Sequence, residues 1–238
     1  MPHTFGGKKV REPGAQRRKM IRIVAVAIVA IIAGAGLYIY ISNTYISTQS
    51  STSTTETTSC TTGTLVLGAP KGPYAKINTS LGCIEVQLYP SAAPKTVANF
   101  INLSQTGFFN NLVWHRIESD PSFSLIQTGD PNTRNGTGDR STWGMGGSSK
   151  TVPLEINSTL HNYVGYLGMA RTSDPNSGSS QFYINLSNNT SLDGQYTVFG
   201  KVISGIEIAR AIDKVPVNTS HQPITPVFVT SITIQDTP

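Results

Sequence analysis

The sequence predicts a mainly β fold, a closed barrel of eight antiparallel strands capped by two helices, with one transmembrane helix before it. Three observations lead to this prediction. Short apolar runs alternate with turn-rich stretches through most of the chain, as in barrels, whose closure removes exposed sheet edges. Two segments change to the helical period of 3.6 residues. Residues 23–41 are a run of 19 without a charged side chain, enough to cross a bilayer core of about 30 Å as a helix.

The charge of the chain is concentrated before this apolar run. The chain carries 18 basic and 13 acidic residues; seven of the basic residues and one acid lie in residues 1–22, so 11 basic and 12 acidic residues follow. A basic flank favours a cytoplasmic tail at 1–22, a single-pass anchor at 23–41 and a domain outside the cell membrane. A cleaved signal peptide is the alternative. Without a net basic charge after residue 22, nucleic acid is not an expected partner.

The composition of residues 42–63 predicts a flexible linker. Fifteen of the 21 residues in 42–62 are Ser or Thr, which cannot bury enough apolar surface to offset the entropy of ordering. Eight Asn-x-Ser/Thr sequons follow in the chain and predict a glycoprotein, with general Asn, Ser and Thr richness as the alternative. The two cysteines, Cys60 and Cys83, could pair in an oxidising compartment.

The folded domain is expected over 64–238. Residues 82–89 alternate with a period of two, which predicts a strand. Pro94 then opens a helix that ends near Gly107, and a second amphipathic helix is predicted over 205–215. The last strand is predicted over 227–234.

Common catalytic patterns are absent from the sequence. It contains no H-E-x-x-H zinc motif and no G-x-S-x-G nucleophile turn, and its four histidines lack metal-ligand spacing. Residues 130–141 lack the glycine and glutamate of a calcium loop. Neither a metal nor a cofactor is therefore expected.

Four segments together carry a specific signal. They are WHRI at 114–117, SLIQTGD at 124–130, GMARTSDPNSGSSQFYI at 168–184 and LDGQYTVFGKV at 192–202. In this order and spacing they resemble the cyclophilin family of peptidyl-prolyl cis-trans isomerases, and AAPKTVANF at 92–100 is similar to the family's first helix. The resemblance covers about residues 74–235. It implies a cyclophilin-like barrel with its site on the outer face, and an enzyme that assists the folding of exported or membrane-surface proteins by rotating X-Pro bonds.

The resemblance also implies the site residues. Arg116 is the expected catalytic cation, and Gln127 is expected to orient it and the substrate carbonyl. Ala170 and Arg171 would present backbone groups to a proline-containing polypeptide, and Gln181 its side-chain amide. The residues expected to line the proline pocket are Leu125, Tyr183, Leu192 and Tyr196.

This sequence departs from the family pattern at a few positions. The segment between Arg116 and Gln127 is longer than usual, and Ser124 stands where a pocket phenylalanine is common, so Phe123 is the candidate replacement. Tyr196 replaces a histidine, as in many prokaryotic-type members. Ser191 replaces a tryptophan on which cyclosporin binding depends, so only weak cyclosporin binding is expected. The alternative function is a catalytically weak module that binds proline-containing segments.

Overall fold

The computed structural model describes residues 24–33, 36–45 and 72–237. They fall into two units, the first within residues 1–55 and the second within 56–238. The predicted tail at 1–22 and residues 46–63 of the predicted linker lie outside the described residues.

The first unit contains two antiparallel strands, β1 (Val24–Ala33) and β2 (Gly36–Tyr45). The single helix expected over 23–41 is therefore wrong for this structure. Its sequence is rich in Val and Ile and is interrupted by Gly34 and Gly36, and both features favour a strand pair over a continuous helix. Among the described residues, no helix has the length and apolarity that crossing a membrane requires.

The second unit contains one sheet and two helices. Its elements in chain order are β3 (Tyr74–Thr79), β4 (Gly82–Leu88), α1 (Pro94–Gln105), β5 (Leu112–Val113), β6 (Arg116–Asp120), β7 (Phe123–Thr128), β8 (Tyr166–Met169), β9 (Phe182–Asn185), β10 (Val198–Ser204), α2 (Ile206–Asp213) and β11 (Phe228–Gln235). Both helices and the final strand occur where the sequence predicts them, with ends that differ by one to two residues.

The sheet is antiparallel and curled, with the strand order β5-β11-β3-β4-β10-β8-β9-β7-β6. Within residues 72–237 it has nine strands, and it is not closed, so the prediction of a closed eight-stranded barrel is wrong. The two edge strands, β5 and β6, are separated only by Trp114 and His115. They are successive parts of one extended segment and run in the same direction, so they cannot form a hairpin with each other.

Aromatic side chains fill the interior between the sheet and α1. The ring of Phe100, on α1, lies 5.3 to 5.4 Å from the rings of Phe109, Phe182 and Phe199. All four are buried, as are Ile117 and Ile126 on β6 and β7. Because side chains alternate along a strand, the neighbours of these core residues face outward. The outer face of β6, β7 and β9 therefore carries the site.

Cys83 on β4 is disulfide-bonded. Cys60, the other cysteine of the sequence, lies outside the described residues.

Candidate functional site

The site is built on one row of residues that crosses four strands. Arg116 on β6 pairs with Gln127 on β7, Gln127 pairs with Tyr183 on β9, and Tyr183 pairs with Gly168 on β8. Such directly opposed residues have neighbouring Cβ atoms on the same face of the sheet. The pairing therefore brings together side chains that are as many as 67 positions apart in the chain, from Arg116 to Tyr183.

Gly168 makes room for the ring of Tyr183. A Cβ atom at position 168 would lie 2.1 Å from Cζ of Tyr183. The tyrosine ring therefore lies across the glycine, and its hydroxyl donates to Oδ1 of Asn162 at 2.8 Å. Burial raises the pKa of Tyr183, so the phenol stays protonated as a hydrogen-bond donor.

A cavity of about 150 Å³ lies on this face. It is surrounded by all the predicted site residues except Gln181: Arg116, Phe123, Leu125, Gln127, Ala170, Arg171, Tyr183, Leu192 and Tyr196. The guanidinium of Arg171 lies 4.7 Å from the ring centre of Tyr196, and its Nε donates to the carbonyl of Gln195 at 2.9 Å. One wall of the cavity is thus a stacked arginine and tyrosine pair.

Phe123 lies on the cavity side of β7, and Ser124 does not. Phe123, Leu125 and Gln127 share one face by strand alternation, and all three line the cavity. Ser124 is buried on the other face, where its hydroxyl lies 3.3 Å from Oδ1 of Asp213. The longer segment after Arg116 is a hairpin in which Asp120 pairs with Phe123. This pairing brings Phe123 to the cavity.

Gln181 lies in a second cavity of about 320 Å³ that adjoins the first. Its Nε2 donates to the carbonyls of Gly144 and Gly146 at 2.9 and 2.7 Å, and its Oε1 accepts from Nε2 of Gln127 at 2.8 Å. Arg116, Gln127, Ala170 and Arg171 line both cavities and form the boundary between them.

The sequence did not predict several residues of the larger cavity. They are His115, Trp143, Gly144, Met145, Gly146, Thr172, Ser177, Ser179, Ser220 and Gln222. The loop over 130–150 brings Trp143 and the glycines there, because the carboxylate of Asp130 accepts the backbone N–H groups of Asn132 and Gly144. The position of His115 next to Arg116 in the WHRI segment was a signal that could have identified it.

His115 is an uncharged component of the larger cavity wall at neutral pH. Burial lowers its pKa to about 4, and this effect outweighs the opposing attraction of Asp130. Among the described residues, no group of three or more His, Cys, Asp or Glu side chains could hold a metal ion.

Arg116 has its own partners. Its Nε donates to Oε1 of Glu118 at 2.9 Å, and the other carboxylate oxygen of Glu118 lies 3.0 Å from Nδ1 of His221. The side chain of Arg116 is 47% exposed, whereas that of Glu118 is 17% exposed. The guanidinium is therefore held at Nε, on a residue that lines both cavities.

The comparisons agree on one family. The profile described as "Cyclophilin type peptidyl-prolyl cis-trans isomerase/CLD" matches residues 74–234. The chain is 39% identical to "Peptidyl-prolyl cis-trans isomerase-like 3" of Rhizopus delemar, over 68% of this chain and 94% of that protein. It is 42% identical to "Peptidyl-prolyl cis-trans isomerase-like 1" of Emericella nidulans, over 64% and 88%. Both relatives are fungal. That the chain is a prokaryotic-type member of the family, which Tyr196 suggests, stays a prediction.

A solved structure gives the same result. The cyclophilin type peptidyl-prolyl cis-trans isomerase of Cryptosporidium parvum matches with a TM-score of 0.61 and 32% identity, covering 69% of this chain and 98% of that chain. The same protein, in a structure determined in the presence of the dipeptide Ala-Pro, matches with a TM-score of 0.60 and 33% identity, over 68% and 98%. From residue 74 to residue 234, this chain belongs to the cyclophilin-type peptidyl-prolyl cis-trans isomerases.

Proposed function

We propose that the two adjoining cavities are the isomerase site, with Arg116 as the catalytic cation and Gln127 as the residue that orients it and the substrate. Rotation about an X-Pro bond breaks the amide resonance and crosses a barrier of about 18–20 kcal/mol. No covalent bond is broken, so the reaction needs neither a nucleophile nor a metal. It needs a cation near the prolyl nitrogen, whose lone pair is freed only as the amide twists. An interaction made mainly in the twisted state lowers the barrier.

One observation carries this proposal: Arg116 lies on the boundary of both cavities. A chain with its proline ring in the smaller cavity and its preceding residues along the larger one would cross that boundary at the X-Pro bond. A guanidinium suits this position because it is permanently charged and is a rigid donor.

The remaining residues hold the substrate on either side of the bond. Phe123, Leu125, Tyr183, Leu192 and Tyr196 give the smaller cavity apolar walls for a proline ring. Along the boundary, the carbonyl of Ala170 and the backbone N–H of Arg171 have no hydrogen-bond partner among the described residues. They are available to an extended peptide, together with the amide of Gln181.

A peptide titration tests this arrangement separately from turnover. Adding a short Ala-Pro peptide to the 15N-labelled full chain in detergent should shift the amide signals of residues lining both cavities. The side-chain signal of Gln181 should move with them. Shifts confined to residues outside these cavities would refute the assignment.

Ser124 and the longer segment before Gln127 favour the binding-module alternative. Phe123 supplies an aromatic wall despite Ser124, and the extra residues form a hairpin away from the boundary. The alternative predicts peptide-induced shifts without line broadening from exchange between cis and trans peptide, and the same spectra distinguish the two.

We further propose that the domain acts outside a cell membrane and is tethered there by residues 23–41. The support is the uncharged run of 19 residues behind a basic flank, together with the disulfide at Cys83, a bond that persists in oxidising compartments. Protease added to intact cells should release the domain. Protection of the domain, or its recovery from the medium without protease, would contradict the proposal.

Of the eight sequons, we propose that the exposed ones carry any glycan that export allows. Asn185 and Asn189 are buried, and the Nδ2 of Asn189 donates to Oδ1 of Asn185 at 2.8 Å. Asn102, Asn135, Asn188 and Asn218 are exposed. Mass spectrometry of the protein from a glycosylating host should find sugar only at these exposed asparagines; sugar at Asn185 in folded protein would contradict this.

A further inference from the structure

We propose that Glu118 is a positioning residue for Arg116, and that His221 fixes Glu118 in turn. This inference rests on the proposed role of Arg116. Glu118 and His221 line neither cavity, so they would act on the substrate only through the guanidinium.

The carboxylate of Glu118 lies between Arg116 and His221. Oε1 of Glu118 accepts from Nε of Arg116 at 2.9 Å, and Oε2 lies 3.0 Å from Nδ1 of His221. An ion pair between two exposed, mobile side chains holds a residue weakly. Glu118 is different because its own side chain is 17% exposed and each of its oxygens lies close to one partner, although Arg116 and His221 are 47% and 54% exposed.

His221 is attached to β6 at two points. Its carbonyl accepts from the backbone N–H of Ile117 at 2.9 Å, so the residue contacts β6 through its main chain and its side chain. It lies in a turn closed by Asn218, whose Oδ1 accepts from the backbone N–H groups of Ser220 and Gln222 at 2.9 and 3.0 Å. His221 has a φ of +58°, a conformation that the surrounding turn maintains.

The contact with Glu118 uses only one of the three guanidinium nitrogens of Arg116. Nε of Arg116 is occupied by Glu118, which leaves the two terminal nitrogens for the substrate. A long side chain that is 47% exposed would otherwise sample several rotamers. Holding it at Nε fixes the direction of the remaining donors, and small errors in the placement of a catalytic group are costly.

The test uses the full chain in detergent and two measurements. The first is kcat and KM for an X-Pro peptide. The second is the NMR signal of the Arg116 Nε–H group, assigned by its loss in Arg116→Ala; a hydrogen-bonded N–H exchanges slowly with water. Glu118→Ala should lower kcat about tenfold with little change in KM, and its Nε–H signal should exchange rapidly.

Two further variants separate positioning from charge and from folding. Glu118→Gln keeps an acceptor for Nε of Arg116 without the negative charge, so its kcat should stay within about threefold of that of the parent. His221→Gly keeps the positive φ without strain, and its kcat should lie between that of the parent and that of Glu118→Ala. Glu207→Ala, an exposed glutamate on α2 outside both cavities, is the matched control and should behave as the parent.

The outcomes distinguish this proposal from the one on which it rests. Unchanged turnover in Arg116→Ala would refute the proposed site itself. A strong effect of Arg116→Ala with full activity in Glu118→Ala would refute only the positioning role. An unchanged Nε–H signal in Glu118→Ala, or a Glu118→Gln variant as impaired as Glu118→Ala, would also overturn it.

Discussion

Nε2 of Gln127 donates to Oε1 of Gln181 at 2.8 Å, and this bond joins the two cavities. Nε2 of Gln181 in turn donates to the carbonyls of Gly144 and Gly146. The side-chain amide of Gln181 therefore connects Gln127 to the loop over 130–150, which lines the larger cavity. Both glutamines are buried. A buried hydrogen-bonding group that loses its partner costs about 1–3 kcal/mol, so this connection is expected to be rigid.

Gln181→Ala should therefore affect stability and substrate binding together. The variant leaves Gln127 and two carbonyls without their partner, so we expect a loss of about 1–3 kcal/mol in unfolding free energy and a raised KM. Urea titration and peptide kinetics measure the two quantities. Gln195→Ala is the control, since the side chain of Gln195 is exposed and bonds only the carbonyl of Ser191, while its own carbonyl, which accepts from Arg171, is kept in the variant. Equal KM values in Gln181→Ala and the parent would show that the second cavity does not bind substrate.

Gly168→Ala should impair the site more than the fold. The added methyl group would meet the ring of Tyr183 at 2.1 Å, so the ring must move toward the smaller cavity. We expect a loss of about 1–3 kcal/mol from overpacking and a marked fall in kcat/KM. Gly72→Ala is the control, because the nearest atom to its added methyl group is 3.8 Å away. Undiminished turnover in Gly168→Ala would mean that the position of Tyr183 is unimportant.

The domain should lose stability in mild acid because of His115. Its pKa is about 4 in the folded protein and 6.5 as an ordinary histidine, so the unfolded chain binds the proton more readily between these values. The stabilisation is present above pH 6.5 and is lost as the pH falls toward 4, by about 2 kcal/mol between pH 7 and pH 5.

Unfolding followed by tryptophan fluorescence at several pH values measures this effect, since Trp114 and Trp143 both lie in the domain. His115→Gln should flatten the dependence over this range. The same slope in the variant and the parent would assign the acid sensitivity to other groups.

Cyclosporin should inhibit this protein weakly, and Ser191→Trp should strengthen the inhibition more than it changes turnover. Ser191 is exposed and does not line the smaller cavity, so no aromatic wall stands there. A tryptophan buries about 150–250 Å² and adds an N–H donor. At about 25 cal/mol per Å², that contact is worth several kcal/mol. The test is to titrate cyclosporin into the parent and into Ser191→Trp in the same isomerisation assay. Tight inhibition of the parent would show that serine at position 191 does not weaken cyclosporin binding.

The resemblance to the cyclophilin family implied Arg116, Gln127 and Tyr183 as site residues, and strand pairing places the three side by side on one face of the sheet. Their roles in the reaction stay a prediction. Closure of the barrel was predicted wrongly, because the placement of 112–113 and 116–120 at opposite edges of the sheet follows from their long-range pairing with β11 and β7, which local pattern does not reveal. Glu118 escaped prediction because its role depends on His221, a partner more than 100 residues away.

Arg116→Ala tests the central claim most directly. Exchange NMR on an X-Pro peptide should show kcat/KM at least about 100-fold below that of the parent, because the variant lacks the charge at the twisting amide. Its circular dichroism spectrum should be unchanged, since Arg116 lies on the outer face, and Arg210→Ala, an exposed arginine on α2, should keep full activity. Parental turnover in a folded Arg116→Ala variant would contradict the proposed mechanism.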